Sequence, residues 1–473
     1  MTLRLLDSNS KDFSRFLDAL TRRRGANGGA VDRDVAAIIA AVQKRGDRAV
    51  IEFTRKFDGV SLTPARLRVS AGALAAARAA LPRAERRALE LAARRIAEFH
   101  RHTLDKSFSY RDGLGMRLGQ LVRPLDRVGI YVPGGMGAYP SSVLMNAIPA
   151  RVAGVREVVM VTPSAKDGDR PAVLAAAAIA GVDEVYRIGG AQAIAALAYG
   201  TASIGAVDKI VGPGNAWVQA AKRMVYGVID IDKMAGPSEV LVIADARAHP
   251  EWVAADLIAQ AEHGSGEESA VLITASRALA LKVSAALERA LGDLPRADAV
   301  RRVLARRGAA VVVKNLEEAF VLANRIAPEH LELDIANPGR WLKEVKAAGA
   351  VFVGARSSAP LGDYLAGPNH VLPTGGSARF ASPLGAYDFV KRTSIIEASA
   401  GALRALGPEV ARLARMEGFE GHARAMEMRL APAGSNGTRG KSANGRRANG
   451  AGPESKVRRQ RATKSETSEK TNG

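Results

Sequence analysis

The sequence predicts an α/β fold with two Rossmann-like domains, each built on a parallel sheet, and small helical segments at the N- and C-terminal ends. From Val128 onward, short apolar runs that end in Gly or Pro, such as VGIYVPGG and KIVGPG, alternate with Ala-rich helical stretches. A second series of apolar runs, AVLITA, AAVVVK, LELDI and AVFVGA, follows the helical segment EWVAADLIAQAEH. Apolar strands separated by helices are typical of parallel sheets covered on both faces.

Helical periodicity marks the regions on either side of these strands. Apolar residues recur at spacings of three and four between Val31 and His102, and the chain is mostly helical again after about Ala386. No internal repeat of fixed period is present. The predicted division is a small N-terminal segment (1–25), a first α/β domain in two pieces (26–130 and 244–385), a second α/β domain (131–243), a C-terminal helical segment (386–430) and a basic tail (431–473).

The C-terminal segment carries a large share of the positive charge for its length. The formal net charge is +20, and the 43 residues from Ala431 to Gly473 contain ten Lys or Arg and three Glu among many Gly, Ser, Asn and Thr. Such a segment buries too little apolar surface to offset the entropy of ordering it, so we expect a disordered tail. A nucleic-acid-binding protein is the alternative class; it predicts salt-dependent DNA binding that disappears when the chain is truncated near Leu430.

Composition excludes several kinds of chemistry. The sequence contains no Cys, which rules out disulfides, thiolate zinc sites and Cys nucleophiles, so a metal would need His, carboxylate or amide ligands. No apolar run approaches the ~20 residues of a membrane span, and the first residues lack the apolar core of a secretory signal. We therefore expect a cytoplasmic protein that does not contact a membrane.

Gly-rich loops follow several candidate strands, although a complete G-x-G-x-x-G fingerprint is absent. They contain Tyr131, Gln192 and Asn215. Ligands gather at the carboxyl ends of parallel strands, where glycines let backbone amides approach a phosphate. Ordinary turn glycines are the alternative interpretation.

Four of the seven His residues lie close to other polar residues. Gln260 and His263 are three residues apart at the end of a predicted helix, where one face could hold an ion, although a His that interacts with the helix dipole has the same spacing. Glu329 and His330 precede an alternating strand pattern and could share proton transfers. Residues adjacent along a regular strand point to opposite faces, so a turn must re-aim one of these two side chains; a surface pair is the alternative.

Two further pairs are less distinctive. Asp363 and His370 lie in a long loop broken by glycines, and such loops are usually functional. Glu417 and His422 lie in a Gly-broken helical region, where two exposed polar residues are the simpler interpretation.

Seven motifs occur in an order that resembles the histidinol dehydrogenase family over nearly the whole chain to about Leu430. They are GIYVPGG, GGAQAIAALAYG, VGPGN, AGPSEVLVIAD, QAEHG, APEHLEL and GDYLAGPNHVLPTGGSARF. The resemblance implies one zinc ion per subunit and an intertwined homodimer with shared active sites, joined through residues 386–430. The implied zinc ligands are Gln260, His263 and Asp363 of one subunit and His422 of the other.

The resemblance also assigns roles to the remaining candidates. It implies that Glu329 and His330 are the acid/base pair, carried with the metal ligands by the first α/β domain. The implied NAD contacts are Tyr131, Gln192 and Asn215, and the implied substrate contacts are Ser238, Gln260, His263, His330, Asp363, Glu417 and His422.

The implied reaction is the NAD-dependent, four-electron oxidation of L-histidinol through L-histidinal to L-histidine, the last step of histidine biosynthesis. Zinc would anchor substrate nitrogens and Glu417 would complement the ammonium group. His330 would remove the hydroxyl proton as hydride passes to NAD, and Glu329 would activate water for the second oxidation.

A paralogous zinc- and NAD-dependent dehydrogenase of another small alcohol, such as a dihydroxypropanesulfonate, is the nearest alternative. An anionic sulfonate favours Arg or Lys at the position of Glu417, so this carboxylate favours histidinol. Two features depart from the family pattern, namely the tail after Leu430 and Lys233, where a small or apolar residue is expected.

Overall fold

The computed structural model describes residues 3–21, 29–134, 137–164, 168–234, 236–263, 266–292 and 294–430. The predicted basic tail, residues 431–473, lies outside the described residues. Within these ranges no helix combines the length and apolar character of a membrane span.

The chain begins with one strand and a series of helices, as the periodicity between Val31 and His102 predicts. These elements are β1 (Arg4–Asp7), α1 (Lys11–Thr21), α2 (Gly29–Arg45), α3 (Asp47–Asp58), α4 (Pro64–Leu67), α5 (Ala71–Ala80) and α6 (Arg83–Arg101), followed by β2 (Phe108–Arg111) and β3 (Arg117–Pro124). In α6 the buried side chains of Ala92, Ile96 and His100 recur every four residues, which gives the helix one buried face.

The first parallel sheet has five strands in the order β6-β5-β4-β7-β8. Its strands are β4 (Arg127–Tyr131), β5 (Glu157–Val161), β6 (Glu184–Tyr186), β7 (Lys209–Val211) and β8 (Asp230–Ile231), and its helices are α7 (Pro140–Ala153), α8 (Pro171–Ala180), α9 (Gly190–Tyr199) and α10 (Ala216–Val225). Every residue of β5 after Glu157 is buried, because helices cover both faces of the sheet.

The second parallel sheet has six strands in the order β1-β11-β10-β9-β12-β13. Its later strands are β9 (Glu239–Ala244), β10 (Ser269–Thr274), β11 (Gly308–Val312), β12 (His330–Asp334) and β13 (Ala350–Val353). The helices of this region are α11 (Pro250–Ala261), α12 (Arg277–Ala290), α13 (Ala297–Arg307), α14 (Leu316–Ile326) and α15 (Ala359–Tyr364), with short 3-10 helices at Pro338–Glu344 and Ser377–Arg379. The predicted α/β class with parallel sheets is confirmed.

Both sheets are wound in the same way. Apart from β1, which joins the edge of the six-stranded sheet beside β11, the chain starts each sheet at a central strand, β4 or β9, adds two strands on one side and then crosses to the other side. The strand order therefore reverses between β4 and β7 in one sheet and between β9 and β12 in the other. Ligands of doubly wound sheets bind beside such a reversal.

The early helices pack on the five-stranded sheet, whereas the predicted division places residues 26–130 in one domain with residues 244–385. Helices α2 and α3 join the core formed by α9 and α10, and α5 and α6 join the core on the opposite face with α7 and α8. Helix α9 is buried from Ala191 to Ala198, so it needs a second layer of helices over it.

The described part of the N-terminal segment is integral to the six-stranded sheet. Strand β1 pairs with β11, and Phe13, Phe16 and Leu17 of α1 pack in the same core as Leu241 of β9. The predicted division, in which residues 1–25 form a small segment of their own, does not include this pairing with the sheet.

Strand β14 (Val390–Glu397), which follows a 3-10 helix at Ala386–Phe389, forms a three-stranded sheet with β3 and β2 in the order β14-β3-β2. The described residues divide into one compact unit within 3–110 and 118–395 and a second that consists of 111–117 and 396–430.

In the second unit, α16 (Ala400–Met416) and α17 (Glu420–Leu430) form a helical hairpin. A Cβ at Gly407 would lie 2.9 Å from a methyl group of Leu430, so the absence of a side chain lets the two helices approach. The exposed apolar side chains of this unit include Leu413, Met416, Phe419 and Met428.

His100 in α6 makes the folding free energy depend on pH. The side chain is buried, and neither ring nitrogen has a hydrogen-bond partner in the described part of the chain. Burial disfavours the imidazolium and lowers the pKa of His100 to about 4. In the unfolded chain the same imidazole becomes protonated below about pH 6.5, its ordinary pKa. The native state therefore keeps its full free energy of unfolding above that pH and loses part of it as the pH falls towards 4.

We expect acidification from pH 7 to pH 5 to lower the free energy of unfolding by about 2 kcal/mol through His100 alone. The variant His100→Leu should lack this contribution because leucine does not titrate. Urea unfolding of both proteins at the two pH values, at one protein concentration, measures the difference. An equal pH dependence in both proteins would contradict the assignment.

Candidate active site

A cavity of 340 Å³ lies where the two parallel sheets approach each other. Residues after β4 and β7 contribute Pro133, Gly214 and Asn215, so this wall is the carboxyl edge of the five-stranded sheet. The opposite wall is the amino edge of the six-stranded sheet, from which Ser238 precedes β9 and Glu329 precedes β12. His263, His330, Asp363 and His370 are among the other polar residues that line it.

Glu329 and His330 are brought together at the start of β12. Glu329 Oε2 lies 3.6 Å from His330 Nδ1, and both side chains are buried. Helix α14 ends at Ile326 and the next residue, Ala327, has a φ of 54°, followed by Pro328. Side chains adjacent on a regular strand point to opposite faces, and this sharp turn before β12 lets Glu329 and His330 line the same cavity.

Backbone groups of Glu239 at the start of β9 fix both side chains of the pair. Its N–H donates to Glu329 Oε2 at 2.9 Å, and its carbonyl oxygen lies 3.0 Å from His330 Nδ1. A carbonyl accepts only from a protonated nitrogen, so the His330 proton sits on Nδ1 in the neutral ring and Nε2 is left as the acceptor. His330 Nε2 is buried without a hydrogen-bond partner among the described residues and lies 3.6 Å from Asp363 Oδ1.

The electrostatics of the pair follow from burial and from close carboxylates. Burial raises the pKa of Glu329, although His330 opposes the shift. Burial also disfavours the charged form of His330, but Glu329 and Asp363 outweigh it and raise the pKa of His330 to about 9. Glu329 and His330 thus form a buried carboxyl–imidazole pair that can give a proton to a substrate or take one from it.

Three of the four residues predicted as metal ligands, namely Gln260, His263 and Asp363, lie at the end of α11 or on α15, near the pair. His263 Nδ1 contacts the carbonyl oxygen of Gln260 at 3.0 Å, which leaves its Nε2 available. Gln260 is buried at the end of α11, and its amide nitrogen has no partner within the described ranges. Asp363 lies on α15; burial opposes its charge, but His330, His370 and His263 lower its pKa. The described residues of this chain contain no group of three His, Asp or Glu that could hold a metal by themselves.

His370 lines the same cavity, although the sequence analysis gives it no role. Its Nδ1 contacts the carbonyl oxygen of Asp363 at 2.9 Å, and its Nε2 lies 3.4 Å from Ser142 Oγ. The preceding residue, Asn369, is buried and donates to the carbonyl oxygen of Met145 at 2.6 Å. Sequence pattern alone cannot reveal contacts across more than 200 positions, so only the glycine-broken loop signalled this residue.

Lys233, which departs from the family pattern, supports the loop that carries His370. Its Nζ donates to the carbonyl oxygen of Val371 at 3.3 Å, and burial lowers its pKa. The residue is half-buried, and its ammonium group contacts a backbone acceptor. The structure therefore assigns Lys233 a role in loop packing.

A second cavity, of 510 Å³, adjoins the first and lies at the carboxyl edge of the five-stranded sheet. Tyr131, Gln192 and Asn215 all line it, and Pro133 and Asn215 are common to both cavities. Both polar atoms of the buried Gln192 side chain lack a hydrogen-bond partner in the described chain. The Tyr131 hydroxyl accepts from Gly190 N at 3.1 Å, and burial raises the pKa of Tyr131 to about 12.

Asn215 has a structural function in addition to its place in both cavities. Its Oδ1 accepts hydrogen bonds from the backbone N–H groups of Trp217 and Val218, each at 3.1 Å. These contacts cap the N-terminus of α10, where the first backbone donors have no partner within the helix. The VGPGN motif therefore starts a helix as well as lining the site.

Glu417 and His422 belong to the C-terminal unit. Glu417 is the C-cap residue of α16, and His422 lies in α17 with its ring centroid 5.3 Å from that of Phe419. Both residues are exposed.

A buried carboxylate and imidazole beside a cavity at the strand-order reversal of a doubly wound sheet define an α/β enzyme. Residues 21–430 match the model of the family described as histidinol dehydrogenase, and this match narrows the class of α/β enzymes to one family. The chain belongs to the histidinol dehydrogenase family and is an oxidoreductase.

Individual relatives agree with this assignment. Histidinol dehydrogenase from Dechloromonas aromatica (strain RCB) is 49% identical over 431 residues, which span 91% of this chain and 99% of the relative. The enzyme of the same name from Aromatoleum aromaticum (strain DSM 19018 / LMG 30748 / EbN1) is 51% identical over 429 residues, covering 90% and 98%. The crystal structure of histidinol dehydrogenase from Elizabethkingia anophelis has a TM-score of 0.85 and 34% identity, and covers 91% of this chain and 98% of its own. The family predicted from the seven motifs is confirmed.

The helix-capping role of Asn215 can be tested independently of any contact that Asn215 makes with a ligand. Asn215→Ala should lower the free energy of unfolding by about 1 kcal/mol, because two helix donors lose their acceptor. Asn215→Asp keeps a capping oxygen and should stay within about 0.5 kcal/mol of the parent protein. Chemical denaturation of the ligand-free proteins measures both values, and equal losses in the two variants would exclude the capping role.

Proposed function

We propose that this chain oxidises L-histidinol through L-histidinal to L-histidine, with NAD as the oxidant and one zinc ion at each site. The observation that carries the proposal is the His330 imidazole, whose free Nε2 lies in the smaller cavity while Glu329 and Glu239 hold its other side. Membership of a family whose relatives bear the name histidinol dehydrogenase supports the choice of substrate.

The larger cavity fits a dinucleotide. It lies beside the strand-order reversal between β4 and β7, and Gln192 offers an amide donor and an amide acceptor that are otherwise unpartnered in the described chain. Tyr131, Gln192 and Asn215 would contact NAD there. When bound, NAD would accept the hydride that leaves the substrate carbon.

The residues near Asp363 fit a zinc ion. A zinc site in a chain without cysteine must use nitrogen and oxygen ligands, and Gln260, His263 and Asp363 supply an amide, a free imidazole Nε2 and a carboxylate. The buried, unpartnered amide nitrogen of Gln260 indicates that this side chain lacks its natural partner, since its amide can turn to present oxygen. When bound, zinc would hold and orient the nitrogen atoms of the substrate.

Two residues of this chain would move the protons. In the neutral form of its ring, His330 accepts the proton of the substrate hydroxyl at Nε2 as the C–H bond breaks, which gives the aldehyde. Glu329 then takes a proton from a water molecule that adds to the aldehyde carbon, and His330 removes the hydroxyl proton of the resulting hydrate during the second oxidation. One histidinol in its ammonium form, two NAD and one water thus yield one zwitterionic histidine, two NADH and three protons.

The remaining contacts are proposed on the family resemblance together with the surface of the C-terminal unit. Ser238 lines the smaller cavity, where its hydroxyl can bind the substrate. Glu417 and His422 would reach the site of a second subunit, where they bind the substrate ammonium and the zinc ion, respectively. The exposed Met416 and Phe419 beside them support an interface, because exposed large apolar groups are often covered by a partner.

We expect purified, zinc-loaded protein to produce two NADH per L-histidinol. His330→Ala should reduce kcat by about 10²- to 10⁴-fold, because the general base is lost. Treatment with a chelator should abolish turnover, and added zinc should restore it. Absorbance at the NADH band measures all three results. A metal-loaded protein that turns over a sulfonated diol but not histidinol would contradict the proposed substrate.

A mixture of two inactive variants tests the shared site. If His422 serves the partner's site, a heterodimer of His330→Ala and His422→Ala subunits contains one complete site and one site that lacks both residues. Random reassociation of equal amounts should then recover about a quarter of the parental activity, because half of the dimers are mixed. Activity no higher than that of the separate variants would mean that each chain uses its own His422.

A further inference from the structure

A buried ion pair holds the loop that connects β7 to α10. Lys222 lies in α10, and Asp232 directly follows β8. Lys222 Nζ donates a hydrogen bond to Asp232 Oδ1, and the two side chains are 0% and 1% exposed. Asp232 Oδ2 accepts from Gly212 N at 2.9 Å, and Lys222 Nζ also donates to the carbonyl oxygen of Gly212 at 2.9 Å. The pair therefore binds both backbone hydrogen-bonding groups of Gly212.

Gly212 is the point at which the chain leaves β7 and enters the wall of the two cavities. Its φ is 112°, and a Cβ at this position would collide with the carbonyl oxygen of Tyr131 on the neighbouring strand β4. Of the residues that follow, Pro213 and Gly214 line the smaller cavity, and Asn215 lines both cavities. The backbone position of Gly212 therefore sets the position of a wall that the cavities share.

The third donor of the Lys222 ammonium group reaches a second part of the site. Lys222 Nζ donates to the carbonyl oxygen of Lys233 at 3.3 Å. Lys233 Nζ in turn donates to the carbonyl oxygen of Val371, which lines the smaller cavity. An ammonium group has three N–H donors, so the contacts with Asp232, Gly212 and Lys233 use all of them. The loop at Gly212 is thus held relative to another segment of the cavity wall.

Stability alone does not account for this pair. Removal of two charges from water carries a large free-energy cost, and well-packed apolar residues of similar volume are often equally or more stabilising. Apolar side chains could fill the same space, but they could not bind the backbone of Gly212. The ion pair therefore provides a fixed position and direction for the loop.

We propose that the Lys222–Asp232 pair is a positioning pair that holds the loop of residues 212–215 where NAD binding requires it. The identity of the ligand rests on the proposed function, in which Asn215 contacts NAD. Because both side chains are buried, they act on the ligand through the backbone of Gly212. Loss of the pair lets the loop occupy other positions, and the dissociation constant for NAD then rises by the inverse of the fraction that stays competent.

The opposite edge of the same sheet carries a second Lys–Asp pair that serves as a matched control. Lys209 and Asp230 are paired residues of β7 and β8, and Lys209 Nζ lies 2.8 Å from Asp230 Oδ2. Lys209 is buried and, like Lys222, donates to a backbone carbonyl oxygen, which is that of Asp388. Both control residues begin their strands, whereas the larger cavity lies at the carboxyl edge of the sheet. Substitutions at positions 209 and 230 therefore leave the loop in place.

The experiment compares Lys222→Met, Lys222→Met/Asp232→Leu and the control Lys209→Met/Asp230→Leu with the parent protein, all prepared with zinc. Urea unfolding measures stability, calorimetric titration with NAD measures its dissociation constant, and hydrogen-exchange mass spectrometry follows residues 212–215. Lys222→Met leaves the Asp232 carboxylate buried and unpaired, so its urea midpoint should fall well below the parent value. The double variant at 222 and 232 removes both charges of the pair, so its midpoint should recover at least in part.

NAD affinity should not follow this recovery. We expect the dissociation constant for NAD to rise about tenfold in both variants that lack Lys222, which corresponds to a loop that is competent about one tenth of the time. Exchange in residues 212–215 should rise in both variants. The control should stay within about twofold of the parent dissociation constant, because its substitutions are distant from the loop.

Recovery of the parent NAD affinity together with the urea midpoint in the double variant would overturn the proposal, because the pair would then serve stability alone. An equal loss of affinity in the control, or unchanged exchange in residues 212–215, would also overturn it. Where a variant does not fold, Lys222→Gln, which retains an N–H donor for the carboxylate, takes its place under the same criteria. A parent protein that binds no NAD would instead reject the proposed cofactor, and the exchange measurement would still show whether the pair holds the loop.

Discussion

The candidate active site depends on the pairing of β9 with β12. These strands are neighbours in the six-stranded sheet, but about 90 residues separate them along the chain. Their parallel register brings Glu239 beside Glu329 and His330, so one backbone position contacts both side chains and selects the neutral tautomer of the imidazole. Helix α11 follows β9 and α15 follows β13, so the winding of this sheet also brings Gln260 and Asp363 into the same region.

The two sheets use opposite edges. The cavity beside Gln192 lies at the carboxyl edge of the five-stranded sheet, where doubly wound folds commonly bind ligands. Glu329 and His330 stand at the amino edge of the six-stranded sheet. The lining shared at Pro133 and Asn215 makes the two cavities adjacent. Because the two sheets present opposite edges to adjacent cavities, they contribute different groups to one site although both are wound in the same order.

Much of this architecture can be predicted from local pattern, and the rest depends on contacts that are distant in sequence. Buried parallel strands are continuous apolar runs, so the α/β class follows from the sequence, as do the strand-to-helix junctions beside Tyr131, the last residue of β4, and Gln192, in the first turn of α9. The sequence shows that Glu329 and His330 are neighbours, but it does not predict the turn at Ala327 that brings their side chains together. The packing of α2 and α3 on the five-stranded sheet depends on a second helical layer, and His370 acts across the fold; neither leaves a periodic signal.

The buried polar atoms that have no partner among the described residues have a consequence for how the sequence can change. Gln192, Gln260 and His330 each hold such an atom, and an unpaired buried polar atom costs about 1–3 kcal/mol relative to a well-packed apolar group. Selection for folding alone would therefore replace these residues with apolar ones. Their persistence in a lineage would record selection for ligand binding, and a copy released from that selection should lose them before it loses its apolar core.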